Sequence, residues 1–185
     1  MRKIIYWVHT SVDGFVDGPN GEFDWTELGP ELADYAHEVH DGVDTFLYGR
    51  VVWEMMSGYW PTADKESDHP HDQEFAPIWR ETPKIVFSRT LRGPLDWNTT
   101  VINSDVAESV AALKSGTGKD LLLNGGSGMA ATLADLGLVD EIQVIVHPVI
   151  LGGGKRLLPI ARTALELTGT RTFDNRSVLL SYTLG

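Results

Sequence analysis

Leu121-Leu122-Leu123-Asn124-Gly125-Gly126-Ser127-Gly128-Met129 runs a short apolar segment into three glycines and then into a helical pattern, Met129, Leu133 and Leu136. An apolar run this short, with no polar alternation, reads as a strand buried on both faces. Ser127 is placed to cap the helix and Gly137 to end it. Two readings of the glycines stand open. They make a tight strand-to-helix turn, or they let the backbone close on a phosphate held by the free N–H groups of the helix start. The spacing is not G-x-G-x-x-G, and Asp140-Glu141 precede the next strand instead of ending it, so a standard Rossmann site is disfavoured.

The same strand-turn-helix grammar recurs to either side. Tyr48-Gly49-Arg50-Val51-Val52-Trp53-Glu54 puts a cation in a first helical turn, where the helix dipole opposes it. Arg50 therefore faces either a bound anion or Glu54 at i, i+4. Lys84-Ile85-Val86-Phe87-Ser88-Arg89-Thr90-Leu91 ends a strand in two hydroxyls and a guanidinium, a donor set suited to a phosphate monoester or to a plain polar turn. Ile4–His9, Thr45–Tyr48 and Ile142–Leu151 read as further strands. Leu32, Tyr35, Ala36 and Val39 share a helical face, as do Val106, Val110 and Leu113, the latter opened by a capping-box-like Asp105 and Glu108. Alternating strands and helices imply crossovers and a parallel sheet. Leu165/Leu167 and Val178/Leu180/Tyr182/Leu184 alternate instead at period two, an antiparallel hairpin joined across Asp174-Asn175. The expectation is an α/β fold, a mixed, mainly parallel central sheet flanked by helices, formed by residues 1–185 as one domain, with Gly58 to His71 a polar loop.

The 185 residues carry a net charge of −11. Residues 11–82 hold 17 acidic and three basic side chains (Arg50, Lys65, Arg80), and the remainder has a slight basic excess. No basic field exists to attract a nucleic acid. Absence of cysteine removes disulfides and thiolate chemistry and suits a cytoplasmic protein. Met1-Arg2-Lys3 precedes an apolar run too short for a signal peptide or a membrane span, so no membrane association is expected. His37-Glu38-Val39-His40 lacks zincin spacing, and His69-Pro70-His71-Asp72 reads as solvated loop, so no metal is expected. No G-x-S-x-G elbow surrounds Ser11 or Ser127, and Gly152-Gly153-Gly154-Lys155-Arg156 lacks the Walker spacing.

Ser11-Val12-Asp13-Gly14, Gly49-Arg50-x-x-Trp53-Glu54, the 84–91 strand end, Gly125-Gly126-Ser127-Gly128, Gly137 to Glu141 and His147-Pro148-Val149-Ile150-Leu151-Gly152 together resemble the dihydrofolate-reductase-like superfamily. Within it they are most similar to the riboflavin-biosynthesis reductase (RibD C-terminal) group. The resemblance spans nearly the whole chain. It implies a fold binding NADPH, often a homodimer, with a small-molecule substrate. Gly49, Arg50, Gly125, Gly126, Ser127, Gly128 and Met129 would hold the pyrophosphate; Ser88, Arg89 and Thr90 the adenosine 2′-phosphate; His9, Thr10, Val16 and Asp17 would border the nicotinamide. The reaction implied is hydride transfer to a C=N or C=O carbon of a pterin-like or ribosylaminopyrimidine-like compound. The alternative is a dimeric module that binds NADPH without turnover. The family's acid after the first-helix proline has no counterpart here, since Leu32 stands two residues after Pro30. Glu31 and Asp34 are the remaining candidates to protonate a substrate.

Overall fold

The strand beginning at Ile4 opens on a continuous apolar run, Ile4 to Val8, because it lies in the middle of the sheet with parallel neighbours on both sides. A computed structural model describes residues 1–184. In chain order the elements are β1 (Ile4–Ser11), α1 (Pro30–Asp41), β2 (Val43–Gly49), α2 (Arg50–Tyr59), α3 (Ala63–Glu66), α4 (Pro70–Glu81), β3 (Lys84–Phe87), β4 (Thr99–Ile102), α5 (Val106–Ser115), β5 (Asp120–Leu123), α6 (Ser127–Asp135), β6 (Glu141–His147), β7 (Leu165–Thr172) and β8 (Val178–Leu184). The sheet order is β4-β3-β2-β5-β1-β6-β8-β7. All neighbours from β4 to β6 are parallel, and β8 and β7 add antiparallel. This is the mixed, mainly parallel sheet with a C-terminal hairpin that the alternation of patterns predicts.

Successive strand side chains point to opposite faces, so each strand feeds two cores. Trp7, Phe46, Tyr48, Val86, Leu122 and Ile145 pack under Leu32, Ala36 and Val39 of α1 and Phe75 and Trp79 of α4. Tyr6, Leu47, Ile85, Leu121, Leu123 and Val144 pack on the other face, under Val110 of α5 and Ala130 and Leu133 of α6. Each fully buried large side chain contributes ~1.5–3 kcal/mol from area removed from water, which fixes the register of both layers.

Several local expectations are corrected. The segment from Gly58 to His71 is not a continuous loop: it holds the end of α2, the single turn α3, and the start of α4. Pro70 suits the first turn of α4, where no N–H partner is needed, and His69 Nδ1 accepts from His71 N at 3.3 Å. The sixth strand stops at His147 rather than Leu151, because Pro148 has no N–H to donate to a ladder. Gly126, not Ser127, occupies the N-cap of α6. Asp105 stands at the N-cap of α5 but with φ +50 and no side-chain cap bond, so no capping box forms. Gly137 does end α6 as expected, at φ +67, with its N–H donating to Ala134 O.

Candidate cofactor and substrate site

β2 and β5 are neighbours, and each runs directly into a helix at its carboxyl end. Gly49 N donates to Gly125 O at 2.6 Å, so the two turns are bound to each other. A Cβ on Gly49 would sit 3.4 Å from Met129 Cβ and 3.5 Å from Gly126 N; one on Gly126 would sit 3.3 Å from Val52 Cγ2. Gly125 adopts φ +107, a conformation side chains rarely tolerate. Backbone conformation demands glycine at Gly125, while a Cβ at Gly49 or Gly126 would meet its neighbours at ordinary to slightly tight contact. Both N-caps are glycines without a side-chain cap bond, and neither first turn holds an acid. The first N–H groups of α2 and α6 consequently lack protein partners. Around Gly128 the space is open, with nothing within 4 Å of a Cβ built there. Such a paired start can hold an anion.

Beneath it, Tyr48 Oη accepts from Trp79 Nε1 at 3.1 Å and from Asn124 Nδ2 at 3.4 Å, joining β2, α4 and the end of β5. Complete burial pushes the Tyr48 phenol well above its ordinary value, so it stays neutral. Arg50 Nη1 lies 3.3 Å from Glu54 Oε1, with both side chains about half exposed. Such a pair is worth under ~1 kcal/mol and leaves the guanidinium available to a stronger anion.

At the end of β3, Ser88 Oγ accepts from Leu91 N at 3.0 Å and Thr90 N at 3.3 Å. Asn103 Nδ2 donates to Ser88 O at 2.6 Å and Leu91 O at 2.9 Å. The Ser88 hydroxyl thus shapes this turn. Arg89 is exposed and forms no ion pair among the described residues. Lys84, by contrast, is buried: Nζ donates to Thr82 O and Trp97 O and lies 4.3 Å from the Trp79 ring centroid. Burial lowers its value to about 8, and it serves the core, not a ligand.

The mouth of β1 has a different construction. Residues 11–17 lie against 147–157: Val12 N donates to Val149 O, Val16 N to Lys155 O, and Leu157 N to Gly14 O. Asp13 accepts from Leu151 N and Gly152 N. Both carboxylate oxygens of Asp17 are taken by Lys155, through its N–H at 2.6 Å and its ammonium. Thr10 Oγ donates to Phe15 O at 3.1 Å. Thr10 and Asp17 therefore hold the loop, and Val16 contributes backbone to it.

Beside this loop, His9 Nδ1 and His147 Nε2 meet at 2.8 Å. Trp25 packs edge-on against His147 at 5.6 Å, and Trp7 lies 5.9 Å from His9. Burial, then His147 and His71, push His9 down to about 3. His147 is lowered by burial, with Glu27 pulling the other way. Both rings are neutral at pH 7. The sequence singles out His9 only through the resemblance and gives His147, Trp25 and Asn124 no role of their own; the pairing depends on the β1–β6 register.

Two hollows lie apart from the glycine turns. One of about 250 Å³ sits at the amino ends of the parallel strands, between Ile5, Tyr35, Glu38, Asp120 and Gln143. Another of about 330 Å³ lies between Gly14, Arg156, Leu158 and Leu165.

The family model for the RibD C-terminal domain matches residues 2–179. The chain belongs to the RibD C-terminal domain family. Protein YyaP of Bacillus subtilis (strain 168), itself uncharacterised, is 36% identical over 98% of this chain and 94% of its own. Among solved structures, a Shewanella sp. PV-4 protein assigned to riboflavin biosynthesis superposes with a TM-score of 0.78 at 18% identity, covering 99% of both chains. Dihydrofolate reductase from Enterococcus faecalis, complexed with NADP(H), superposes at 0.67 and 15% identity over 99% of this chain and 96% of that one. The fold is dihydrofolate-reductase-like, a reductase-type fold.

Within this RibD C-terminal domain, the two acids singled out from sequence both lie on α1. Glu31 and Asp34 are both exposed, because the inward face of α1 is Leu32, Ala36 and Val39. Glu31 Oε2 accepts from Asp174 N at 2.9 Å, tying α1 to the β7–β8 turn. Asp34 makes no side-chain hydrogen bond or ion pair among the described residues. A histidine pair, with Glu27 near His147, is gathered at the end of β1. No group of three or more potential metal ligands forms among the described residues, and no helix there is long and apolar enough to cross a membrane.

Proposed function

We propose that this chain is an NADPH-dependent reductase acting on the C=N or C=O of a small pterin-like or ribosylaminopyrimidine-like molecule. The observation that carries the reading is the order of donors across four adjacent strands. Arg89 lies two residues past β3, the glycine-capped start of α2 follows β2, that of α6 follows β5, and His9 lies near the carboxyl end of β1. Three strand spacings of ~4.8 Å make a track of about 14 Å, all at strand carboxyl ends, where open α/β sheets bind ligands. A ligand with a terminal monoester, a central pyrophosphate and a flat uncharged ring has the matching sequence of groups.

The chain's own residues divide the work. Arg89 grips the ribose phosphate bidentately. Amides of Arg50 to Val52 and of Ser127 and Gly128 receive the pyrophosphate, with the Arg50 guanidinium beside them. The 11–17 and 147–157 loops bound the ring and exclude water. The bound dihydronicotinamide would supply the hydride. A second reading, binding without turnover, is favoured by the solvent exposure of Glu31 and Asp34.

Tryptophan quenching by NADPH and NADH tests the proposal. NADPH binds, and Arg89→Ala weakens it ~10–100-fold, equivalent to ~1–3 kcal/mol, while barely changing NADH. No quenching at millimolar NADPH would overturn the reading, and equal losses for both cofactors would remove Arg89 from it. Binding without oxidation across pterins, quinones, aldehydes and pyrimidine precursors would select the second reading.

A further inference from the structure

Reduction of a C=N or C=O needs a proton as well as a hydride, and neither acid of the first helix is positioned to give one. What the fold does hold at the mouth of β1 is a linear pair of imidazoles. His9 Nδ1 and His147 Nε2 are 2.8 Å apart, which leaves one nitrogen uncommitted at each end, His9 Nε2 and His147 Nδ1. His9 is half-buried and His147 buried, and neither outer nitrogen makes a hydrogen bond among the described residues. The rings are held in line by Trp7 beside His9 and by Trp25 edge-on to His147. The titratable groups around them are Glu27 near His147, His71 of α4 near His9, and His40 of α1, 5.5 Å from Trp7. Opposing influences thus surround a pair that itself carries no charge.

Building on the reductase reading above, we propose that His9 and His147 form a two-imidazole relay that delivers the solvent proton to the reduced substrate, with His9 the catalytic residue and His147 acting through it. A neutral imidazole accepts at one nitrogen while it donates at the other, so two in series pass a proton without either becoming charged. As the acceptor carbon takes the hydride with its electron pair, the π pair of C=X moves onto X. X takes the proton from His9 Nε2, and His9 Nδ1 takes the one on His147 Nε2. His147 Nδ1 is then protonated from water. The balance is one hydride from the cofactor and one proton from solvent, giving HC–XH and the oxidised cofactor. Both rings end in the opposite tautomer and reset once product has left: water protonates His9 Nε2, His9 Nδ1 returns its proton to His147 Nε2, and His147 Nδ1 releases one to water.

The direction of the hydrogen bond is the exposed point of this account. Imidazole ¹⁵N NMR of the intact protein reads the tautomers without any turnover. The relay requires His147 to be protonated at Nε2 and His9 at Nε2, both neutral at pH 7. A proton on His9 Nδ1, or a charged ring, overturns the relay whatever the activity. His147→Gln is the second arm, because an amide still donates to His9 Nδ1 but passes no proton. It is expected to retain saturable NADPH binding. It should lower single-turnover reduction of 7,8-dihydrofolate or a quinone acceptor by ~10²-fold, and shift its pH profile. His147→Ala should recover part of the loss with added imidazole. Unchanged turnover in His147→Gln overturns the relay but not the reductase. Failure of the wild type to bind NADPH overturns the reductase. A wild type that binds NADPH and reduces neither acceptor overturns both the relay and the reductase, leaving a binding module.

Discussion

The two halves of the candidate site are built from different materials. At the ends of β2 and β5 the donors are backbone amides, exposed because glycines stand where side chains would fill the cradle. At the ends of β1 and β6 the working groups are side chains, His9, His147, Trp7 and Trp25, and the backbone is engaged in loop-to-loop hydrogen bonds. A backbone site accepts any ligand with the right anions, whereas a side-chain site carries the chemistry and the selectivity. On the reductase reading, cofactor and substrate demands are thereby separated along one sheet edge.

The comparison breaks most severely if the loop side is released. A Cβ on Gly154 would lie 1.9 Å from Asp17 O, and its φ is +123. Gly154→Ala should cost about 3 kcal/mol in denaturant unfolding, and disturb the β1 mouth more than the glycine cradle. An unchanged midpoint would mean that the two loops are not bound together as described.

A second test uses acid. His9 and His40 lie at about 3 and His71 at about 4 in the folded chain, against 6.5 unfolded, burial being the main cause for each. Below pH 6.5 the unfolded chain binds more protons, so stability is full above that pH and falls as pH drops toward about 3. For the buried His40 the slope is ~1.4 kcal/mol per pH unit, so His40→Phe should flatten the pH dependence of unfolding by about that amount. An equal slope in the variant would remove His40 from the account.

How much of this was legible in the sequence follows the same division. Ile4–His9, Lys84–Phe87 and Asp120–Leu123 read correctly as parallel strands because burial on both faces leaves a continuous apolar run. The glycine turns were legible too, since glycine after a buried strand has few explanations. β4 was not: it is four residues long, only partly buried, and follows left-handed Trp97 and Asn98. The apolar face of α4, Phe75, Ala76 and Trp79, is masked by Pro70 and Pro77. The His9–His147 contact joins residues 138 apart in sequence, and only the pairing of Ser11 with His147 and His9 with Ile145 makes it. Local pattern has no access to that register.

Smaller effects sharpen the boundary between helix α1 and the site. Glu31→Gln should cost ~0.5–1 kcal/mol through a weaker bond from Asp174 N, with NADPH affinity unchanged. Asp34→Asn should stay within ~0.5 kcal/mol in stability, with no effect on binding or turnover. Loss of turnover in Asp34→Asn would return the proton-donating role to a carboxylate.

The central claim is that a dinucleotide lies across the carboxyl ends of β3, β2, β5 and β1, and backbone amide NMR with NADPH titrated into the labelled protein reads that track directly. The predicted result is saturable shifts at Arg50 to Val52, Ser127 to Met129, Arg89 and His9. Shifts confined to the hollow between Tyr35, Glu38 and Gln143, or no shifts at millimolar NADPH, would contradict it.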